Sequence, residues 1–244
     1  MKKLTLLLLS VFALTAVAQV TTIPAIIQKG YTGEVTIIFN PNEGNKGMAG
    51  ATQKCYAHTG LITSASSNDG DWKNVVENWR TNTSKTQLTK DGDNWKLVIP
   101  NIYTFYNCSK STEIKKLAFV FHDGPSGTKE GKTAEGTDIF VELQEAGLAV
   151  SIASAMPEIS KQGDKVTLQC YATESAQLSL MLNGKEVAAK EGTELEYEHT
   201  LSEIGDYTFT FVAKKGDEIK EATVQTCVVV APEQTPRPEG IDMG

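Results

Sequence analysis

The most constraining feature of this sequence is a rhythm. Short runs of β-branched and aromatic residues, four to eight long, alternate with turn-forming clusters along most of the chain. Val35-Thr36-Ile37-Ile38-Phe39 ends at Asn40-Pro41-Asn42, and Trp95-Lys96-Leu97-Val98-Ile99 lies between Asp91-Gly92-Asp93-Asn94 and Pro100. Leu117-Ala118-Phe119-Val120-Phe121 ends at Asp123-Gly124-Pro125, and 138–143 is a further strand candidate. A period of two puts alternate side chains on one face, so these segments predict strands with one apolar side each. No long helical pattern interrupts them; Asn74 to Arg80 offers a turn or two at most. The fold class is therefore all-β, built as β-sandwiches.

From about Gly147 the rhythm tightens. Residues 166–171, 176–182 and 195–199 alternate, and Asn183-Gly184 supplies the two positive-φ positions of a type I′ hairpin. Tyr207 to Val212 is the cleanest alternation, turned by Lys215-Gly216-Asp217 into 219–230. About seven strands in roughly 85 residues is the size of an immunoglobulin-like module. Gly205-Asp206-Tyr207 stands where such a fold has its tyrosine corner, and Phe209 where it has its second Cys. The division expected is 19–146 for a first β-sandwich and 147–231 for a second, immunoglobulin-like one. Residues 232–244, with three Pro in the stretch Ala231 to Gly240, read as an extended linker to a missing domain.

Residues 1–18 read as a signal peptide, with Lys2 and Lys3 ahead of an apolar run too short to cross a bilayer and an Ala16-Val17-Ala18 cleavage site. The chain is thus expected to be exported, to the periplasm or beyond the cell. Cleavage before Gln19 leaves 21 basic side chains against 30 acidic ones, a net charge of −9 in place of −7. That balance excludes a nucleic-acid partner, and no later run is long enough for a transmembrane segment. Export permits disulfides. Cys55, Cys108, Cys170 and Cys227 allow three connectivities; their even split between the halves favours Cys55–Cys108 and Cys170–Cys227, against the alternative of four free thiols.

Chemistry-bearing constellations are few. No P-loop, dinucleotide fingerprint or nucleophile elbow occurs, no metal-ligand spacing is present, and no cofactor is implied. Asp69-Gly70-Asp71 and Asp91-Gly92-Asp93 have turn spacing rather than that of a calcium loop, and His122-Asp123 marks a strand end. Trp72 and Trp79 lie in a polar stretch, 66–84, and are read either as exposed indoles that meet the apolar side of a sugar ring or as structural packing. Trp95 alternates with Leu97 and Ile99 and is expected in the core. His58, in Tyr56-Ala57-His58-Thr59-Gly60, is either a satisfied partly buried histidine or a hydrogen-bonding group beside an aromatic platform.

The order of Tyr56-Ala57-His58-Thr59-Gly60, Trp72, Trp79, Asp91-Gly92-Asp93-Asn94-Trp95 and Leu117 to Gly124 resembles starch-binding modules of carbohydrate-binding families 25 and 26. The resemblance puts the ligand platform on Tyr56 or His58 and on Trp72, with Trp79 as a further member. It departs at Pro125 to Gly131, where those modules have a Trp-Asp-Asn-Asn-like loop. Over nearly the whole mature length, Ala51 to Thr63 and Arg237-Pro238-Glu239-Gly240-Ile241 are similar to the N-terminal region of secreted α-amylase-type enzymes of glycoside hydrolase family 13. This implies an accessory α-glucan-binding region ahead of a C-terminal catalytic domain. The chain itself has no room for a (β/α)₈ barrel, which needs ~250 residues, nor the paired carboxylates of glycoside hydrolysis, so it is expected to be non-catalytic. The rival expectation is a pair of spacer or docking modules that bind no glycan.

Overall fold

A computed structural model describes residues 19–51, 53–81, 83–154 and 156–230. The signal read at 1–18 and the linker read at 232–244 lie outside the described residues. Two sheets with two separate apolar cores account for nearly everything else, and the cores part between Leu143 and Leu148.

The first sheet is made of β1 (Val20–Ile23), β2 (Val35–Phe39), β3 (Cys55–Thr63), β4 (Gln87–Asp91), β5 (Asn94–Ile99), β6 (Ile114–His122), β7 (Glu130–Gly131) and β8 (Ile139–Glu142). They run in the order β1-β2-β5-β4-β3-β6-β7, with β8 also on β6. Alternation decides what faces in: Val35, Ile37 and Phe39 of β2 and Trp95, Leu97 and Ile99 of β5 are buried. Phe39 stacks on Phe121 of β6 with centroids 4.0 Å apart, although four strand positions separate their strands in the sheet. The sheet therefore folds over on itself, β4 forms the corner, and the two halves make a sandwich. Gly131 is required at the crossing, because a Cβ there would lie 2.7 Å from Phe39 Cζ. A single helical turn, α1 (Ile102–Phe105), capped by the Asn101 side chain, packs Ile102, Tyr103 and Phe105 against one end of the core.

The second sheet comprises β9 (Val150–Ile152), β10 (Ile159–Lys161), β11 (Lys165–Leu182), β12 (Lys185–Thr200), β13 (Gly205–Lys215) and β14 (Glu218–Val229). Its order is β10-β14-β13-β11-β12, with β9 also on β11. The segments expected as two strands, 166–171 and 176–182, are one strand with a register shift between Tyr171 and Ala176. There β11 changes partner: Cys170 to Ala172 pair with β9, and Gln177 to Leu182 pair with β13. An irregularity of this kind bends a strand and lets it serve two layers. Among the described residues the module thus has six strands, against the roughly seven expected. Asn183 and Gly184 both have positive φ, 49° and 81°, as the type I′ turn demands. The tyrosine corner is present: the Tyr207 hydroxyl accepts a 3.0 Å bond from the Glu203 backbone N–H.

The cysteines correct the expected pairing, since Cys55, Cys108, Cys170 and Cys227 are all free. Cys227 faces outward between the buried Thr226 and Val228, while Cys170 points into the core. Cys55 opens β3, whereas the loop carrying Cys108 reaches the far end of that strand, where Glu113 O takes the Ser64 N–H. No disulfide joins either expected pair. Thiol titration of the denatured protein without reductant is expected to count four thiols per chain; two would establish a bridge. In the native state Cys227 is expected to react first, because it is the exposed thiol, whereas burial pushes Cys170 up to about 12 and raises Cys55 as well.

Candidate functional site

Strands β3 and β6 are buried on both faces, which one-sided alternation does not explain. Their inner face carries Ala57, Leu61, Phe119 and Phe121. Their outer face carries Tyr56, His58 and Gly60 opposite His122, Val120 and Ala118. The polar stretch 66–80 covers that outer face. Lys73 and Leu61 exchange two backbone hydrogen bonds, and Val76 N–H bonds Thr59 O at 3.0 Å. The stretch is thus an irregular edge along β3, not the helical turns allowed at Asn74 to Arg80. Asn74 and Arg80 have φ of 49° and 58°, which end any right-handed helix.

This cover assembles an aromatic chain. Trp72 stacks on His58 at 5.5 Å with planes 23° apart, its Nε1–H bonding Asp69 O at 3.0 Å. Gly60 makes room for it, since a Cβ there would lie 3.3 Å from Trp72 Cε3 and 3.1 Å from Lys73 O. Trp79 stands edge-on to His58 at 5.0 Å and 90° and leans on His122 at 5.3 Å. His122 in turn stacks on Tyr56 at 5.8 Å. The two indoles flank one imidazole in different ways, so their planes are steeply inclined and form a corner instead of a flat platform.

Exposure sorts the expected residues. Trp79 is 43% exposed, and Trp72 and His58 are half-buried. Tyr56 is only 4% exposed beneath the cluster. The platform role expected for Tyr56 is therefore corrected to packing, because β6 and His122 close over its ring. Trp95 is buried as expected. Asp91-Gly92-Asp93-Asn94 is the β4–β5 hairpin turn, and Asp71 closes a loop by accepting from Ser67 N–H. Among the described residues no His, Cys, Asp and Glu gather as a metal site.

Three neighbours escaped the sequence. His122 enters through strand register: its Nδ1 accepts the Gly124 N–H at 3.1 Å, which puts the proton of the neutral ring on Nε2. Burial lowers His122 to about 4; Arg80 and His58 act the same way, and Asp123 and Glu130 oppose them. Burial also lowers His58, against Asp138 and Glu77. Arg80 lies over Trp79 at 5.3 Å and spends its donors on Gly124 O at 2.9 Å, Gly127 O, Asp123 and Glu130. Those bonds fix the 123–127 turn, which overlaps the start of the Pro125 to Gly131 segment that departs from the starch-module pattern. Glu77 follows Val76, whose N–H bonds Thr59 O, and its charge acts on the His58 ring. Further along the outer face Lys116 bridges Asp69 and Glu142 and lies over the Phe140 ring.

No family model matches the sequence, and no curated protein does. Solved structures with similar portions include the sulfur carrier SoxY from Chlorobium limicola f thiosulfatophilum, at 14% identity and TM-score 0.28, over 35% of this chain and 81% of that one. Another is an endo-β-1,4-mannanase from Thermotoga petrophila, at 10% identity and TM-score 0.28, over 35% of this chain and 20% of that one. Fibronectin(III)-like modules of CbhA from Clostridium thermocellum match at 13% identity and TM-score 0.26, over 34% of this chain and all of theirs. Scores this low carry no argument about function. The chain's own topology shows an all-β protein of two successive sandwich modules, the second immunoglobulin-like, with an aromatic corner on the outer face of the first.

Proposed function

We propose that the chain is a non-catalytic, exported α-glucan-binding region and that the corner of Trp72, His58 and Trp79 is its glycan site. The observation that carries this reading is the exposed Trp79 indole standing at a steep angle to Trp72 across one imidazole. An α-1,4-linked chain turns between successive sugars, so its apolar faces meet inclined rings, whereas a flat β-1,4 chain suits coplanar ones. The starch-module resemblance of the first β-sandwich points to the same ligand. With one well-exposed indole and few polar groups, the expected affinity is weak, Kd of about 0.1–1 mM, or roughly 4–5.5 kcal/mol. Such a site gains usefulness by tethering: it raises the local concentration of an attached catalytic domain on polymeric starch. Among the described residues no helix is long and apolar enough to cross a membrane.

Affinity electrophoresis in gels containing amylopectin tests this. The protein is expected to be retarded, and a folded Trp72→Ala, Trp79→Ala double variant is expected to run as in plain gel. Equal mobility of the unaltered protein with and without amylopectin would instead make the two modules spacers and leave the Trp pair to packing.

A further inference from the structure

Two polar atoms in this cluster have no hydrogen-bond partner within the protein although neither is open to solvent: His58 Nδ1 and Glu77 Oε2. Buried polar atoms are nearly always paired, so two orphans at one place ask for an explanation. They belong together. Val76 bonds Thr59, which brings the next residue, Glu77, beside His58, and the Glu77 charge acts on the His58 ring. Glu77 Oε1 is held by the Thr83 hydroxyl, so the carboxylate is oriented while its second oxygen is left over.

The cover over His58 differs on its two sides. Trp72 is fixed by its bond to Asp69 O and by its seat on Gly60. Trp79 is the more exposed indole and meets His58 through an edge. Its backbone is held between Val76, bonded to Thr59, and Arg80, bonded across to the 124–127 turn. The Trp79 indole edge lies against His58 and its face against His122 and Arg80, so a ligand that reaches His58 Nδ1 displaces the Trp79 edge while the loop stays in place.

Resting on the glycan reading above, we propose that Glu77 and His58 are the hydroxyl-recognising pair of this site and that Trp79 is the movable wall that uncovers them. The ligand group they fit is a vicinal diol of a glucose unit stacked on Trp72. Glu77 Oε2 accepts one hydroxyl proton, and His58 Nδ1, an acceptor in the Nε2–H tautomer, takes the other. Each atom then gains the partner it lacks in the free protein, so the polar gain is realised only with sugar bound. A carboxylate acceptor makes one of those bonds charge-assisted.

Calorimetric titration with maltoheptaose at pH 7, with a thermal melt of each variant, tests the pair. Glu77→Gln keeps the size of the side chain and an acceptor for Thr83 but removes the charge. It is expected to bind at least tenfold more weakly, with a melting temperature unchanged or raised, because a buried carboxylate oxygen without a partner is costly. In the unaltered protein, saturating maltoheptaose is expected to move the His58 Nδ1 nitrogen resonance. Glu77→Gln binding within twofold of the unaltered protein, while Trp72→Ala abolishes binding, overturns the pair and leaves the glycan site standing. Weaker binding accompanied by a lowered melting temperature makes Glu77 structural and overturns it too. If Glu77→Gln does not fold, a His58 resonance unmoved at saturation overturns the proposal. A protein that binds no maltoheptaose and no amylopectin overturns the glycan site and the pair with it.

Discussion

Between pH 7 and pH 4 the protein is expected to lose about 3 kcal/mol of unfolding free energy through His122 alone. In the unfolded chain this imidazole takes up its proton near pH 6.5; in the folded one burial delays that to about 4. Between those values the unfolded state binds more protons, so stability rises with pH across the window and falls as pH drops through it. Above about pH 6.5 the contribution is complete. His58 is shifted in the same direction and adds to the loss. Carboxylates also titrate in this range, so the measurement is a difference. His122→Asn places an Oδ1 acceptor where Nδ1 takes the Gly124 N–H and does not titrate. Urea unfolding of both proteins at half-unit steps should show their stability difference constant above pH 6.5 and shifting by about 3 kcal/mol by pH 4. A difference that stays flat to pH 4 would remove His122 from the account.

Phe121→Ala is expected to cost about 3–5 kcal/mol, the range for deleting a fully buried ring. Phe121 is 0% exposed, stacked at 4.0 Å on Phe39 and 5.8 Å from Phe119, so truncation opens a cavity where the two halves of the first sheet meet. The loss should be confined to one module, because the two cores share no residue. All three tryptophans, Trp72, Trp79 and Trp95, lie in the first, so indole fluorescence reports that core alone. With an m-value near 2 kcal/mol/M the fluorescence midpoint should fall by about 2 M urea. Val98→Ala, on the outer side of β5, should stay within about 0.5 kcal/mol. A fall of less than about 0.5 M for Phe121→Ala would mean that the sandwich does not close on that ring.

The sandwich layers were legible because period-two patterning and turn chemistry are local. Strand β2 occupies the run read as Val35 to Phe39, the Asn-Gly hairpin turns where its two positive-φ positions require, and Tyr207 makes its corner. What was not legible depends on register or on which side of a strand a residue faces. Counting cysteines in each half suggests two bridges, but Cys227 faces away from the core that Cys170 enters. Two alternating segments read as two strands because nothing local says that β11 runs on through its irregularity. Trp72, Trp79 and His58 stood out by residue type. Tyr56 and His122 meet only because β3 pairs with β6 across 66 positions, and that contact buries the tyrosine expected in the platform. Glu77 has no local signature at all; it is marked by an oxygen without a partner.

Strand β10 has a mechanical consequence. It runs parallel to β14, aligning Ile159 with Cys227 and Lys161 with Val229. Once β9 has parted from β11, tension between the first module and Val230 drags β10 towards its own beginning and β14 towards its own end. Parallel neighbours drawn in opposite senses are loaded in shear, so the bonds between them share the force instead of opening one by one as an unzipped hairpin does. The patch is stapled at both ends, by Cys227 N–H to Glu158 O at 2.8 Å and Gln162 N–H to Val229 O at 2.9 Å. Beneath it the buried Ser160 and Thr226 hydroxyls are bonded at 2.8 Å. Pulling on β14 therefore meets a clamp whose bonds give way together, and the strands between β10 and β14 keep their fold until it does.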